Sequence, residues 1–308
     1  MRLVRVRAPE GKGSEVARVA FDAGVPQVAI HQQQTHRPDH PPETKDIVDL
    51  ETATPTAKKF IDALMSSDFF KPGDYSIAVR QPRSVVTRER PPQVTWPLVE
   101  PTVDIFEELW QFSHVTYGFV GRVLIAGALL AYGMIKAQLL IMIAGLLFLP
   151  LLPLLLAMGF GSWTRQWRLV GQGLFAFLVA VALLVAAGAA IAAVSEPPLK
   201  YNEHNPFLVG VLISIGVGVA AGLATADDVG RREMIGLAAT AQIAILPVWF
   251  GVIAVFGVPA LESTPPAQRA LSFAVNVCLI VAVSLCTYAL LGMRGDALRN
   301  FMRRGDEN

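Results

Sequence analysis

The chain has 308 residues, of which 53% are hydrophobic and 17% are charged, and its mean hydropathy is +0.47. Soluble domains carry roughly 25% charged residues, so this composition excludes an ordinary water-soluble protein. The 26 basic and 25 acidic residues leave a net charge of +1, without a basic stripe that could follow nucleic acid. We therefore expect a membrane protein with no nucleic-acid partner.

The first hundred residues are polar enough to form a separate soluble domain. Period-2 alternation of apolar and polar residues predicts four strands, at LVRVR (3–7), QVAIHQ (27–32), KDIVDLET (45–52) and YSIAVR (75–80). Helical periodicity predicts one helix capped by Ser14 and a second helix from Thr56 to about Ser66. The order βαββαβ predicts a ferredoxin-like α+β domain over residues 1–85. We expect it in the cytoplasm, because MRLVRVRAPE lacks the apolar region of a secretory signal.

Two motifs in this domain each have two interpretations. GKGS (11–14) suggests a phosphate-binding loop, but the full spacing is missing and a turn with a helix cap explains its glycines. HQQQTHRPDHPPE (31–43) holds His31, His36 and His40, which together could bind a divalent metal ion. The same proline-rich, polar composition is typical of a mobile loop between the second and third strands.

A linker and a surface helix are predicted over residues 86–114. Five prolines between residues 81 and 101 predict an extended, semi-rigid linker. The next stretch, TVDIFEELWQF, places apolar residues opposite acidic ones and predicts an elbow helix on the membrane surface, with Trp110 at the headgroup level.

The remainder of the chain, residues 115–308, predicts an α-helical polytopic domain with a short basic tail. Apolar segments fall at 115–135, 137–160, 169–194, 207–225, 234–258 and 270–293. Each is close to the roughly 20 residues that cross a bilayer, so we expect six transmembrane helices. Arginines are concentrated in the loops that would lie on the same side of the membrane as the N-terminus. The loops on the opposite side of the membrane hold only Lys136, Lys200 and Arg269. This asymmetry predicts an inner (plasma) membrane protein with both termini in the cytoplasm.

The two halves of this domain resemble each other. VGRVLIAGALLAYG (120–133) and VGVLISIGVGVAAG (209–222) align three glycines at one offset, and Pro150 and Pro247 then lie at equal depths in their spans. Three spans per repeat predict a 3+3 inverted repeat. Paired prolines in such a repeat predict interrupted helices whose freed backbone lines a cavity, although a pair of packing kinks is the alternative.

Three segments carry a resemblance to a known family. They are IAGLLFLPLLPLLLAMGFGSWTRQWRL (143–169), AILPVWFGV (244–252) and SFAVNVCLIV (272–281). The chain resembles a family of uncharacterised bacterial hydrophobic membrane proteins, domain of unknown function 389. The resemblance covers most of the chain and implies a ferredoxin-like N-terminal domain followed by six spans.

The candidate binding residues are polar groups and prolines within the apolar segments. Arg122 is deep enough to attract an anion, unless it extends to the headgroups or pairs with a facing helix. The predicted lining comprises Arg122, Pro150, Pro153, Gln242, Pro247 and Asn276. Asp227 and Asp228 could gate a cation, but the nearby Arg231 and Arg232 make a solvated ion-pair loop the alternative.

No catalytic motif of the HExxH, GxSxG or CxxC type occurs, so we expect neither an enzyme nor a cofactor. The pattern predicts a transporter or channel-like carrier of a small solute or ion, regulated by its cytoplasmic domain. The alternative is a membrane-anchored ligand sensor or scaffold without transport activity. The expected partners are the lipid bilayer, an unidentified solute and further copies of the chain in a homo-oligomer.

Overall fold

The structure is a computed structural model that describes residues 2–37, 40–71, 73–80, 102–197, 206–226, 232–258 and 264–293. It is mostly helical, with a four-stranded antiparallel sheet near the N-terminus. The bulk of one compact unit is Met1–Ile105, and a second unit comprises Phe106–Thr225 and Gly230–Gly292. We call them the sheet unit and the helical unit. The finer division at residues 85 and 114 stays a prediction.

The sheet unit follows the element order βαββαβ. Its elements are β1 (Arg2–Pro9), α1 (Gly13–Asp22), β2 (Val28–Arg37), β3 (His40–Thr52), α2 (Thr54–Met65) and β4 (Ser76–Arg80). The strands lie in the order β2-β3-β1-β4, and every neighbouring pair is antiparallel.

Strand alternation places one face of the sheet in the core. In β1, Val4 and Val6 are buried, while Arg5 between them is exposed and pairs with Asp49 of β3 at 2.7 Å. Phe60 and Leu64 of α2 complete a core that lies wholly within this unit. The sheet unit therefore buries its own apolar surface, which is the main favourable contribution to folding.

The start of α1 differs from the predicted cap. The helix begins at Gly13, and its N-cap residue Lys12 makes no side-chain cap hydrogen bond. Instead, the Gly13 N–H donates to the carboxylate of Asp46, a buried residue of β3, at 2.8 Å. A carboxylate is well suited to this position because unsatisfied N–H groups give a helix start a partial positive charge. The prediction of Ser14 as the cap is wrong, because a residue 33 positions away makes this bond.

The polar stretch 31–43 is more regular than a mobile loop. It forms the end of β2 and the start of β3, which pair at His31↔Ile47, Gln33↔Lys45 and Thr35↔Glu43. Backbone pairing therefore orders this sequence despite its polar composition. Residues 38 and 39 lie outside the described residues.

The helical unit and the helix that leads into it contain eight helices among the described residues. They are α3 (Thr102–Phe112), α4 (Tyr117–Ile135), α5 (Leu139–Leu147), α6 (Leu151–Thr164), α7 (Trp167–Ala193), α8 (Phe207–Ala226), α9 (Arg232–Phe256) and α10 (Pro266–Leu290). By length and composition, five helices can cross a membrane, or six spans result if the bent pair α5–α6 counts as one. The chain is therefore a multi-pass membrane protein.

The predicted elbow helix is present as α3. Its Ile105 and Leu109 side chains are buried within the protein, so this apolar face is covered by protein. Phe106 stacks on Trp110 with ring centroids 5.9 Å apart, and Trp110 meets His114 edge-on at 5.3 Å. Its location on a membrane surface stays a prediction.

The two prolines that were expected to interrupt equivalent helices have different effects. Helix α5 ends at Leu147, and α6 begins after Pro150 with a bend of 46° between them. Before the break, the N–H groups of Phe148 and Leu149 bond three residues back, as in a tightened final turn. Pro247, in contrast, lies inside an unbroken α9. The expectation of two interrupted helices is therefore wrong for the second one.

Packing accounts for the continuity of α9. Pro247 and Val248 are buried, and α9 approaches α7 so closely that a side chain on Gly188 would meet the Val248 carbonyl. A side chain on Gly251 would likewise meet the Val185 carbonyl of α7. This close backbone contact supports the continuous helix, although Pro247 removes one helical hydrogen bond.

The aligned glycines have similar surroundings in only one of the three pairs. Added Cβ atoms at Gly133 and Gly222 would lie 2.7 Å from Met142 and Thr287, so both glycines are needed for close packing. In the pair Gly127 and Gly216, a Cβ added to Gly127 would lie 2.7 Å from Ala187 Cβ, whereas one added to Gly216 would meet open space. The third pair is likewise mixed, since Gly121 is open and Gly210 is enclosed. The inverted repeat stays a prediction.

Candidate functional site

A cavity of about 750 Å³ lies within the helical unit. It is bounded by α5, α8, α9 and α10, together with the short connection between α4 and α5. Its lining residues are Ala137, Leu139, Met142, Pro206, Phe207, Gly210, Ala241, Gln242, Ile245, Leu246, Thr264, Gln268, Arg269, Ser272 and Asn276. This volume and this mixture of apolar and polar groups are typical of small-molecule sites.

Helix α10 supplies one polar wall of the cavity. Arg269, Ser272 and Asn276 are spaced i, i+3 and i+7, which places them on one face of the helix. The Ser272 hydroxyl donates to the Gln268 carbonyl at 2.9 Å. Asn276 is only 5% exposed, so its amide faces the interior of the unit.

Gly210 of α8 lies against two side-chain amides. Gln242 of α9 donates from Nε2 to the Gly210 carbonyl at 3.2 Å. A Cβ atom on Gly210 would lie 3.1 Å from Gln242 Nε2 and 3.4 Å from Asn276 Nδ2. A side chain at residue 210 would press on the Gln242 amide, which would have to move by a few tenths of an ångström, and would be in ordinary contact with the Asn276 amide.

Arg269 brings a positive charge to the cavity. Its side chain is 5% exposed, and its guanidinium carbon lies 4.4 Å from the centroid of the Trp249 ring. Trp249 is itself fully buried on α9 and packs edge-on against Phe250 with centroids 5.2 Å apart. The ring stabilises the cation through the negative charge of its face.

The arrangement can bind a small solute through both polar and apolar contacts. The amides of Gln242 and Asn276 each offer donors and an acceptor, and Arg269 offers donors only. Leu139, Met142, Phe207, Ile245 and Leu246 form the apolar part of the lining.

The structure brings two of the six predicted binding residues to this cavity, Gln242 and Asn276. Arg122 does not line it: its side chain is exposed, and Nε donates back to the Gly118 carbonyl at 3.4 Å. Pro150, Pro153 and Pro247 are also outside the lining, although Leu246 beside Pro247 belongs to it. None of these three prolines therefore belongs to the cavity surface.

The remaining predicted site residues lie elsewhere or beyond the described part of the chain. Asp227 and Asp228, the possible gate, fall outside the described residues. His31 and His36 are exposed on β2, and His40 begins β3. Within the described ranges, no group of three His, Cys, Asp or Glu residues is arranged to hold a metal ion. The metal site stays a prediction, because Asp39 beside these histidines is not described.

Sequence reasoning missed Arg269, which it assigned to an external loop. The signal that could have found it is the preceding Pro265-Pro266 pair. Proline favours the first helical position, and α10 indeed begins at Pro266. Arg269 is then the fourth residue of an apolar helix and falls on the same face as Asn276.

Comparison of the chain with family models, with curated proteins and with solved structures gives no match. The resemblance to domain of unknown function 389 stays a prediction.

Proposed function

We propose that the protein is a membrane transporter or channel-like carrier of a small solute or ion, and that the cavity is its solute site. The observation that carries this proposal is a cavity with buried polar and charged groups among helices apolar enough to cross a membrane. Charged and amide side chains are expensive in a bilayer, and where they occur they commonly mark a substrate or ion pathway. Mere anchoring of the chain would need neither Arg269 nor Asn276 inside the helical unit.

We further propose six spans, with α5–α6 as one broken span and both termini in the cytoplasm. In that topology, the connections α4–α5, α7–α8 and α9–α10 are external. Each contributes to the cavity, through Ala137, Pro206 and Thr264 respectively. Asn276 lies ten residues into α10, or ~15 Å from its start, which is about half the thickness of the hydrocarbon layer. The cavity would then open to the outside and end near the middle of the membrane.

An inverted repeat gives the unequal prolines a functional meaning. The proposed repeats are α4 to α7 and α8 to α10, which pair the broken α5–α6 with the unbroken α9. Alternating access moves one repeat against the other around a fixed site. Two repeats in different conformations fit one end of such a cycle, because an outward-open state requires the equivalent helices to differ.

The sheet unit is proposed to regulate transport from the cytoplasm. Its strand order β2-β3-β1-β4 and its two helices support a ferredoxin-like fold. A core confined to this unit fits a module that can respond to its own ligand. A homo-oligomer is part of the same proposal.

The test is solute flux through the purified full-length protein in liposomes. Cys278 and Cys286 are first replaced by alanine, and Ser272→Cys then places a thiol in the cavity. We expect that a panel of amino acids, organic acids and inorganic ions contains a solute whose flux exceeds that of protein-free liposomes. Modification of Cys at 272 by a membrane-impermeant reagent should stop that flux. The matched control is Leu178→Cys on the exposed face of α7, away from the cavity, which should leave flux unchanged.

The opposite result would be folded protein that moves no solute of the panel, or flux that continues after Ser272→Cys has been modified. Either outcome would contradict a transport role for this cavity and would favour the sensor or scaffold.

A further inference from the structure

We propose that the cavity selects a small organic anion that carries one carboxylate, and that Arg269 is the residue that contacts this carboxylate. The inference rests on the proposed function, because it names the class of solute that the same cavity would take. It depends on three properties of the described lining: its charge, the geometry of the guanidinium and the apolar wall.

The first property is charge. Arg269 is the charged residue of the lining, and the other lining residues are apolar or neutral. An arginine in a protein stays protonated, so it supplies a permanent positive charge to a cavity whose other walls are apolar or neutral protein. In such a site, electrostatic attraction for an anion exceeds the attraction that the same charge has at a water-exposed surface.

The second property is geometry. The guanidinium carbon of Arg269 lies over the Trp249 ring, 4.4 Å from its centroid, and the five N–H donors lie along the edges of the guanidinium plane. A group that occupies one edge leaves donors on the others, and the proposal does not need Arg269 to be without a partner. The planar fork of an arginine edge matches the two oxygens of a carboxylate. Contact with the tryptophan ring also reduces the rotational freedom that binding would otherwise cost.

The third property is the shape and polarity of the remaining lining. The cavity of about 750 Å³ is far larger than one inorganic ion, and Leu139, Met142 and Ile245 offer nothing to a hydrated ion. They favour a hydrocarbon body behind the carboxylate. Asn276 lies seven residues beyond Arg269 on α10, or ~10 Å along the helix. With Gln242, it can bond a hydroxyl or carbonyl group at the far end of such a molecule.

The experiment measures the charge preference at a thiol in the cavity. Ser272→Cys lies one helical turn from Arg269, in full-length protein that lacks both native cysteines and is reconstituted in liposomes. The probes are a negatively and a positively charged methanethiosulfonate of similar size. Their modification rates both scale with the thiolate fraction, so the ratio of the two rates reports the local electrostatic preference alone. The reference is the same ratio for 2-mercaptoethanol in solution.

We expect the ratio at residue 272 to favour the negative reagent by about tenfold over the free thiol, as one partly screened charge ~6 Å away would produce. Arg269→Gln should abolish this preference, and Arg269→Lys should keep it. Arg122→Gln is the matched control, because this exposed arginine lies outside the lining and its removal should leave the ratio unchanged.

The carboxylate is tested by protection with butyrate, with uncharged butyramide as its isosteric control. Butyrate should slow modification by the positively charged reagent at least about twofold, while butyramide at the same concentration should not. Arg269→Lys should weaken the protection by butyrate although it keeps the charge, because lysine lacks the planar fork.

The outcomes separate this inference from the proposed function. If the thiol at residue 272 reacts with both reagents in the ratio of the free thiol, the claim that the solute is an anion is wrong. The proposed aqueous cavity of a carrier is not contradicted by that result. If butyramide protects as well as butyrate, the claim that the cavity recognises a carboxylate is wrong. A thiol that reacts with neither reagent overturns the cavity as a solute site and this inference with it. The rate ratio of the parent protein and the two protection assays need no change at Arg269, so they decide the matter even if its variants fail to fold.

Discussion

The sheet unit and the helical unit both bury apolar side chains, but they differ in the residues that they expose. In the sheet unit, Val4, Val6 and Phe60 are buried, and the glutamines of β2 are exposed. In the helical unit, Leu178 is 56% exposed in the middle of α7, whereas Arg269 and Asn276 are buried. One chain therefore folds for two solvents. Water drives apolar surface inward, while lipid leaves apolar surface free and penalises unpaired polar groups.

The buried polar groups of the helical unit follow from the same rule. Several hydroxyls bond to carbonyls of their own helix, as Ser284 does with Val281 and Thr287 with Val283, each at 2.9 Å. Such bonds satisfy a hydroxyl without any ligand. Gln242 and Asn276 differ, because their longer amide side chains both lie against Gly210 of α8 beside the cavity. This difference separates packing groups from candidate binding groups.

The largest expected effect is on the core of the sheet unit. Phe60→Ala should lower the free energy of unfolding by ~3–5 kcal/mol, because it removes a fully buried ring from a closed core. Denaturant unfolding of residues 1–85, expressed alone, would measure this loss. We expect cooperative unfolding of the parent fragment, since its core lies within these residues. A parent fragment that is disordered would contradict the independence of this unit.

The second prediction compares two exposed apolar residues of nearly equal exposure, Leu178 at 56% and Phe21 at 54%. Leu178→Arg should cost ~2.5–3.5 kcal/mol, because it places a charge at the centre of a membrane-capable helix. Phe21→Arg on α1 should change stability by less than about 0.5 kcal/mol, as surface changes in water usually do. The yield of membrane-integrated protein and its thermal unfolding would show the contrast. Equal effects would mean that both positions face the same solvent.

The third prediction concerns packing around the cavity. Gly210→Ala should cost about 1 kcal/mol and weaken solute binding, because its Cβ would lie 3.1 Å from Gln242 Nε2 and would displace this amide by a few tenths of an ångström. Gly216→Ala on the same helix has open space and should be neutral or stabilising by up to about 1 kcal/mol. Thermal unfolding in nanodiscs, with and without solute, distinguishes the two variants. A Gly210→Ala protein that behaves like Gly216→Ala would show that the amides are not held as described.

The smallest expected effect is at the start of α1. Asp46→Asn keeps an acceptor for the Gly13 N–H but removes the negative charge, and should cost ~0.3–1 kcal/mol. Ser14→Ala should be silent, since no side-chain cap bond forms at this helix start. Urea unfolding of the sheet unit can resolve the two. A larger loss for Ser14→Ala than for Asp46→Asn would restore the local cap that the sequence predicted.

Local patterns in the sequence account for most of the secondary structure. The alternation at LVRVR and YSIAVR predicts two strands that the structure contains as β1 and β4, because side-chain period and burial are both local properties. The apolar runs likewise predict the membrane-capable helices. What the sequence could not supply are contacts between distant residues. Asp46 replaces Ser14 at a helix start, and α9, in close contact with α7, continues through Pro247.

Part of the candidate site could likewise be predicted from the sequence. Gln242 and Asn276 could be chosen because amides in apolar helices are costly, and both line the cavity. Arg122 and Arg269 could not be ranked by depth alone. Arg122 lies on an exposed face of α4, close to the Gly118 carbonyl of the same helix. The tryptophan that stabilises Arg269 lies 20 residues earlier in the chain, on another helix.

The most direct test of the central claim, an aqueous cavity inside a membrane-spanning unit, is thiol labelling at two positions. Ser272→Cys and Leu178→Cys, each in protein without native cysteines, are exposed in intact liposomes to a membrane-impermeant maleimide. We predict rapid labelling at residue 272, which is partly buried but lines the cavity, and almost none at residue 178, which is 56% exposed but faces lipid. Labelling at 178 with none at 272 would contradict the account.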